Sequence, residues 1–460
     1  MARYAIRRII LILPTIFLVM LIAFILSKLV PGDAASAMLL LQGVNPERSN
    51  AKNEYQRQYG QLGLNKPTFY FSVIPDFYPE NINEISDQSK RYQTIALLKQ
   101  KLNYQNIASY LDKRDIFISQ MFIDKSYRET DTLEMANKLA FETDISRLDE
   151  IFDGVNIPDD AQLKSKLADL TSAFQVLKAG RTNMFYPRFI WHGINNQFHQ
   201  WGVNMICGNF GVSMKDGRLI AEKIYSAIKW TILLVFLNIL ISCLIAIPTG
   251  MYAGYRENSH FDIISNYFWL LLYSVPVFWL ASMMIIYFTS ERFGTWMDIF
   301  PAPGNWFFAD HLSFFQTVAN YSGQLILPVL CLAANDIAQL SRVVRNNVIN
   351  QKSALYVKFA LSKGLNSTQT LFRHILPNVM IPLITIIGAR IPAGLSGALV
   401  IEVIFNIPGM GRLMFDSIFS ADWNVVFGIL IIISFFTITF MLITDLLYAI
   451  ANPRINSTFR

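Results

Sequence analysis

Residues Trp230–Ala253 read WTILLVFLNILISCLIAIPTGMYA, an apolar run without one Asp, Glu, Lys or Arg. A helix needs about 20 such residues to cross the hydrocarbon core of a bilayer. Five other stretches are long and apolar enough to do the same. They are Ile9–Val30, Ile263–Phe288, Gly323–Leu340, Leu376–Ile401 and Val425–Ile450. Gly323–Leu340 is the weakest, because Asn335, Asp336 and Gln339 interrupt one end. Pro248, Pro276, Pro328, Pro382 and Pro392 fall inside runs, where neighbouring helices can satisfy the backbone groups that proline frees. The pattern predicts an all-α polytopic membrane protein with six transmembrane helices.

Composition agrees. Of 460 residues, 53% are hydrophobic and 16% charged, and the mean hydropathy is +0.34. Soluble domains carry about 25% charged residues. Three Cys over this length cannot form a disulfide framework. The net charge of +6 and pI of 9.0 point to an anionic partner, either nucleic acid or a membrane surface. The charge is unevenly placed: residues 76–180 hold 13 Lys and Arg against 18 Asp and Glu, so the rest of the chain is strongly basic. Its positive residues sit at the ends of apolar runs and not on a soluble face with interleaved aromatics, which argues for membrane topology and against nucleic acid.

Orientation follows from those ends. Arg3, Arg7 and Arg8 precede the first run, and Arg256 lies between the second and third. Arg342, Arg345, Lys352, Lys358, Lys363 and Arg373 follow the fourth with no acidic residue among them, and Arg454 and Arg460 follow the sixth. With six spans all of these share one side, so both termini are expected in the cytoplasm. Ala35-Ser36-Ala37 resembles a signal-peptide cleavage site, but the run before it exceeds the roughly 7–15 residues of a signal core, and it reads as a retained helix.

The expected organisation is a transmembrane helix over 1–30, an extracytoplasmic region over 31–229 and a membrane core of five helices over 230–460. Within the external region, about 76–182 reads as a compact helical insert. Leu167, Leu170, Phe174 and Leu177 recur at helical spacing, as do Leu133, Ala136 and Ala140, and Asp159-Asp160 suits a helix start.

Several chemistries are missing from the sequence. There is no GxxxxGK[ST], HExxH, paired CxxC or GxSxG, so no P-loop, metalloprotease or nucleophile-elbow reading arises and no catalytic residue is assigned. His192 and His199 could share a helical face, yet two His alone do not make a metal site, and no metal is expected.

The segment after the fourth run is the most informative. Tyr356-Val-Lys-Phe-Ala-Leu-Ser-Lys-Gly-Leu365 is followed by Arg373-His-Ile-Leu-Pro377. About 346–376 is too long for a plain hairpin. Gly364 can end one short helix in a left-handed conformation, and Pro377 can open the next span. Two readings remain: a basic loop held at lipid headgroups, or a rigid, partly apolar knob shaped for a cytoplasmic partner.

On these residues the chain resembles the membrane subunits of binding-protein-dependent ABC importers, and most of all the first permease subunit of the dipeptide/oligopeptide class. The family's coupling loop follows an EAA…G…LP pattern with Gly thirteen residues before Pro. Gly364, Leu376 and Pro377 keep that spacing and Ala360 stands at the second Ala, while Lys358 replaces the Glu and Phe359 the first Ala. Similar stretches are Ala2-Arg3-Tyr4 through Pro31-Gly32-Asp33, Leu62–Pro67, Gly208–Ser213, Glu402–Arg412 and Asp445–Arg454. The resemblance covers about 1–75 and 183–460, leaving the insert unexplained.

The resemblance implies a non-catalytic half-channel for di- or oligopeptides in a bacterial inner membrane. It would pair with a second permease subunit, two ABC ATPase subunits that bind ATP and Mg, and an extracytoplasmic solute-binding protein. Tyr356, Lys358, Ala360, Lys363, Gly364, Leu376 and Pro377 would meet an ATPase. The resemblance assigns the insert no role; its place beside the external mouth suggests that it docks or retains the binding protein, or else decorates its own permease. Import of nickel or another small solute, or a non-transporting scaffold, are the alternatives.

Ionisable residues inside a membrane are functional candidates. Arg390 and Asp336 are the candidates for lining the pathway, and Asp445 reads as an interfacial anchor. At about 1.5 Å per residue, Arg390 lies roughly 20 Å from the cytoplasmic end of its run and Asp336 roughly 9 Å from that of its own. The mismatch of about 10 Å argues against a direct pair unless tilt or a break closes it.

Overall fold

The computed structural model describes residues 2–30, 34–44, 52–80, 82–85, 87–123, 130–153, 161–180, 186–304 and 314–451. Pro31–Asp33, Asp159-Asp160, Arg454 and Arg460 fall outside the described residues. The chain divides into two compact units, Met1–Pro31 with Cys207–Arg460, and Gly32–Ile206.

The first unit begins with α1 (Ala2–Leu29). The second unit then holds α2 (Ala34–Leu41), α3 (Lys52–Gln61), β1 (Phe71–Pro75), α4 (Gln88–Lys99), α5 (Tyr104–Ile123), α6 (Thr130–Phe141), α7 (Ile145–Asp153), α8 (Ala161–Ala179), β2 (Pro187–Trp191) and α9 (Gln197–Ile206). Its core draws Tyr110 and Phe117 from α5, Ala136 and Leu139 from α6, Leu148 from α7, and Leu170, Phe174 and Leu177 from α8. The helical spacing read in α8 thus turns one face of that helix inward. β1 and β2 pair antiparallel, Phe71 opposite Trp191 and Pro75 opposite Pro187, and close the two ends of this helical segment together.

The chain returns to the first unit with α10 (Ile220–Tyr255), α11 (His260–Ser274), α12 (Val277–Phe288), α13 (Phe314–Lys352), α14 (Leu355–Ser362), α15 (Ser367–Thr370), α16 (Leu376–Gly397), α17 (Leu399–Ile404), α18 (Met410–Phe419) and α19 (Trp423–Ala451). Among the described residues four helices are long and apolar enough to cross a membrane, in α1, α10, α13 and α19, or up to six if two bent pairs each count as one.

The bends have local causes. The run Ile263–Phe288 is not one rod: α11 and α12 meet at 96°. Pro276 has no N–H to continue α11, and its ring disfavours helical backbone at Val275, which is extended at ψ 124°. Around Pro382 the helical path turns by 50°. Hydropathy ends the fourth run at Leu340, yet α13 continues to Lys352 over 39 residues. Part of the expected loop 346–376 is therefore helix, and Arg342 and Arg345 stand on it.

α10 and α13 form the spine of this unit. Gly250 and Gly254, four residues apart on α10, let the backbones touch: a Cβ at Gly254 would lie 2.6 Å from the Arg345 carbonyl oxygen. Gly388 likewise abuts Thr444 on α19, and Gly394 abuts Val235 on α10. One apolar cluster joins Ala246 and Met251 to Ile337, Val344 and Val348, and continues through Val357, Leu371 and Ile375 to Val379 and Leu383.

Candidate functional site

That continuous cluster seats the segment 353–377 on the spine. Val357 and Ala360, three apart on α14, are buried inward, whereas Leu355 is 83% and Phe359 62% exposed. α14 ends as its sequence predicts. Gly364 has φ +84°, its N–H donates to the Leu361 carbonyl at 3.0 Å, and the Leu365 N–H donates to the Ala360 carbonyl at 3.4 Å. These two bonds make a Schellman turn, which requires the left-handed backbone that glycine supplies.

The chain restarts at once. The Asn366 side chain accepts from the Gln369 N–H at 2.7 Å, and the Asn366 N–H donates to the Gln369 side chain at 3.4 Å. This capping box fixes α15. A π-helical turn over Leu371–Ile375 then leads into α16, where Pro377 occupies the first turn. The result is a knob of two short helices joined by a Schellman turn and a capping box.

The sequence-selected residues take distinct places on it. Lys358 is exposed, and the Lys363 ammonium sits 4.6 Å from the centre of the Phe359 ring. The Tyr356 hydroxyl donates to Gln351 Oε1 at 2.7 Å and accepts from Asn378 Nδ2 at 3.2 Å. Burial pushes its phenol up, against the opposing effect of the Asn378 bond. Leu376 is half-buried against the spine cluster. Ala360 is therefore a packing residue, and the surface is made by Leu355, Tyr356, Lys358, Phe359 and Lys363.

A second constellation corrects an expectation. Arg390 and Asp336 pair directly, Nη1 to Oδ1 at 2.7 Å. The depth mismatch disappears because Leu340 is not the end of the helix: α13 runs on to Lys352, and the path into α16 is bent. Arg390 also donates to Gln339 Oε1 through Nη2. Asp336 Oδ2 accepts from Asn238 Nδ2 at 2.8 Å, and Asn238 Oδ1 accepts from Ser242 Oγ at 3.2 Å. Three helices, α10, α13 and α16, thus converge on one polar cluster.

Sequence reading missed Asn238 and Ser242, although a lone Asn inside the Trp230–Ala253 run was a visible signal. It also missed a cluster at the start of α10, which Asp422, between α18 and α19, joins. Asp422 is buried, accepting from the Ser213 hydroxyl and, at 2.9 Å, from the Met214 N–H. Lys223 Nζ donates to Ser213 Oγ at 2.9 Å and pairs with Asp216 at 2.9 Å. Burial alone would raise the Asp216 carboxyl, but bonds from Lys223, Ser213 and the Arg218 amide outweigh it and hold the group at about 2.

His192 and His199 do not share a helical face. His192 follows β2 with Nε2 2.8 Å from Ser72 Oγ, and His199 lies on α9 with Nδ1 3.1 Å from the Tyr70 hydroxyl. Among the described residues no group of three or more His, Cys, Asp or Glu could hold a metal ion.

Comparison with known proteins adds three relatives. Residues 246–457 match the family described as binding-protein-dependent transport system inner membrane component. The oligopeptide transport system permease protein AppB of Bacillus subtilis is 32% identical over 269 residues, 57% of this chain and 82% of the relative. The probable peptide ABC transporter permease protein y4tP of Sinorhizobium fredii is 30% identical over 56% of this chain and 79% of its own length. The peptidoglycan transport system permease protein YejB of Agrobacterium fabrum is 30% identical over 55% of this chain and 69% of its own.

Proposed function

The chain belongs to the family of binding-protein-dependent transport system inner-membrane components, and from that premise we propose that the knob over 353–377 is the point at which ATP-driven motion enters a peptide pathway. The protein is a permease subunit of a peptide ABC importer, a multi-pass protein of the bacterial inner membrane.

The observation that carries the proposal is the contrast between the two faces of α14. On its inner face Val357 joins the α10–α13–α16 core and Ala360 is buried beside it in sequence, while Leu355 and Phe359 are left to solvent among Lys358 and Lys363. Two apolar side chains one helical turn apart on the outer face of α14, set among lysines, suit a protein contact. A force applied to the knob reaches the membrane helices through packed side chains, which do not deform continuously.

In the full reading, six spans place both termini in the cytoplasm, which the distribution of Lys and Arg supports. Two ATPase subunits bind ATP and Mg and grip this knob and its counterpart on a second permease subunit. ATP-bound ATPases favour one permease conformation by binding it better. A solute-binding protein delivers peptide from the other side, where the insert over about 76–182 serves as its docking element.

The test is co-purification. Phe359→Asp should abolish recovery of the ATPase subunits with this chain while leaving membrane insertion intact. ATPase recovery at the wild-type level with Phe359→Asp and Leu355→Asp combined sinks the assignment.

A further inference from the structure

The Arg390 cluster combines two facts that are in tension. Its charged groups are not sealed: the Arg390 side chain is 26% and the Asp336 side chain 12% exposed. Yet Arg390 lies midway along the apolar run Leu376–Ile401, and its ion pair with Asp336 sets that carboxylate at the same depth. An exposed guanidinium at that depth is not stable against hydrocarbon, so the open side of the cluster faces a hydrated space or another polar protein surface. In a permease that space is the pathway.

The charges within the cluster balance. Asp336 supplies one negative charge to the one positive charge of Arg390, at hydrogen-bond distance. Its second oxygen is fixed by Asn238, which is itself held by Ser242, so the carboxylate cannot rotate away without losing a further bond. Gln339 takes another guanidinium N–H without adding charge. What faces the open side is a polar but neutral surface.

We infer that Asp336, positioned by Asn238, is the charge-selectivity element of the pathway: it cancels Arg390 so that peptides pass with little regard to their net charge. The inference rests on the peptide-permease reading and extends it from the identity of the cargo to its electrostatics. Without Asp336, Arg390 would attract acidic peptides and hold basic ones back. Without Arg390, Asp336 would do the reverse. Asn238 and Gln339 act through the pair and are positioning residues.

The experiment uses the complete importer in proteoliposomes and three peptides of equal length bearing one net negative charge, no net charge and one net positive charge. The readout is the ratio of acidic to basic uptake, which losses in expression or assembly do not change. The wild type should give a ratio near one. Asp336→Asn should raise it and Arg390→Gln lower it, each on the order of tenfold, the scale of one unit charge acting over several ångströms of partly hydrated protein. The double variant should return towards parity.

Gln339→Glu keeps both partners and adds one negative charge, so it should lower the ratio even where a single variant fails to assemble. If the ratio is the same in all variants, with the three peptides falling in proportion, the pair is a structural clasp and the inference is wrong. A wild-type importer that moves none of the peptides instead removes the reading beneath it.

Discussion

Arg345 on α13 grips Asp262 at the start of α11 with two parallel hydrogen bonds, Nε to Oδ1 at 2.5 Å and Nη2 to Oδ2 at 2.7 Å. Asp262 is also bonded by the Asn258 N–H at 2.9 Å, and its own N–H donates to Ser259 Oγ at 3.2 Å, so one carboxylate ties the α10–α11 turn to the spine. Its side chain is only 3% exposed. Removing one partner of such a pair strands the other, at a cost of about 3 kcal/mol. Asp262→Ala should lower the Tm of the detergent-solubilised complex by several degrees, and Arg345→Ala should lower it further, because it leaves the more deeply buried charge unpaired. Equal Tm values for both variants and wild type would show that the pair is dispensable.

Gly364 stands in open space, with nothing within 4 Å of where a Cβ would be, so substitution there acts through the backbone alone. Gly364→Val should strain the elbow by about 1–2 kcal/mol, and Gly364→Asn much less, since Asn tolerates positive φ. In reconstituted complexes the Val variant should hydrolyse ATP with reduced uptake per ATP, and the Asn variant should couple nearly as wild type. A Val variant with normal coupling would mean that the elbow's shape is not transmitted.

Acid should loosen the segment before α10 only at its lower extreme. The Asp216 carboxyl is held at about 2, below its ordinary 3.8, so the stability it lends is complete above about pH 4 and is lost as pH falls through about 2. Hydrogen exchange of the Ser213 and Gly217 amides should therefore show no Asp216-dependent change between about pH 5 and 8. Asp216→Asn should remove the acid-side step. Persistence of the step in that variant assigns it to another group.

Phe174 is fully buried and stacks on Phe152 with ring centroids 4.5 Å apart. Phe174→Ala should cost about 3–5 kcal/mol and make the helices between β1 and β2 sensitive to proteolysis. ATPase co-purification should persist, since the knob lies in the other unit. Loss of the ATPases in this variant would overturn the separation of roles.

The helices are legible in sequence wherever a residue has one way to be satisfied. The apolar runs have to be helical, Gly364 thirteen residues before Pro377 marks the elbow, and the face of α8 is visible in Leu170, Phe174 and Leu177. What sequence does not reveal depends on three-dimensional context. Pro276 reads as a tolerated interruption, but no neighbour restores the straight path, and the run turns by 96°. Hydropathy places the end of α13 too early, because Arg342, Arg345 and Lys352 remain helical beyond the apolar stretch. The polar cluster is half visible: Arg390 and Asp336 stand out as charges, while Asn238, neutral and on a third helix, gives no hint of which carboxylate it serves.

The pairing of Pro75 with Pro187 has a topological consequence. Because β1 and β2 run side by side, the helical segment between them begins and ends at nearly the same point, as at the neck of a bag. Everything between can lengthen, shorten or be exchanged while the flanking polypeptide registers no displacement.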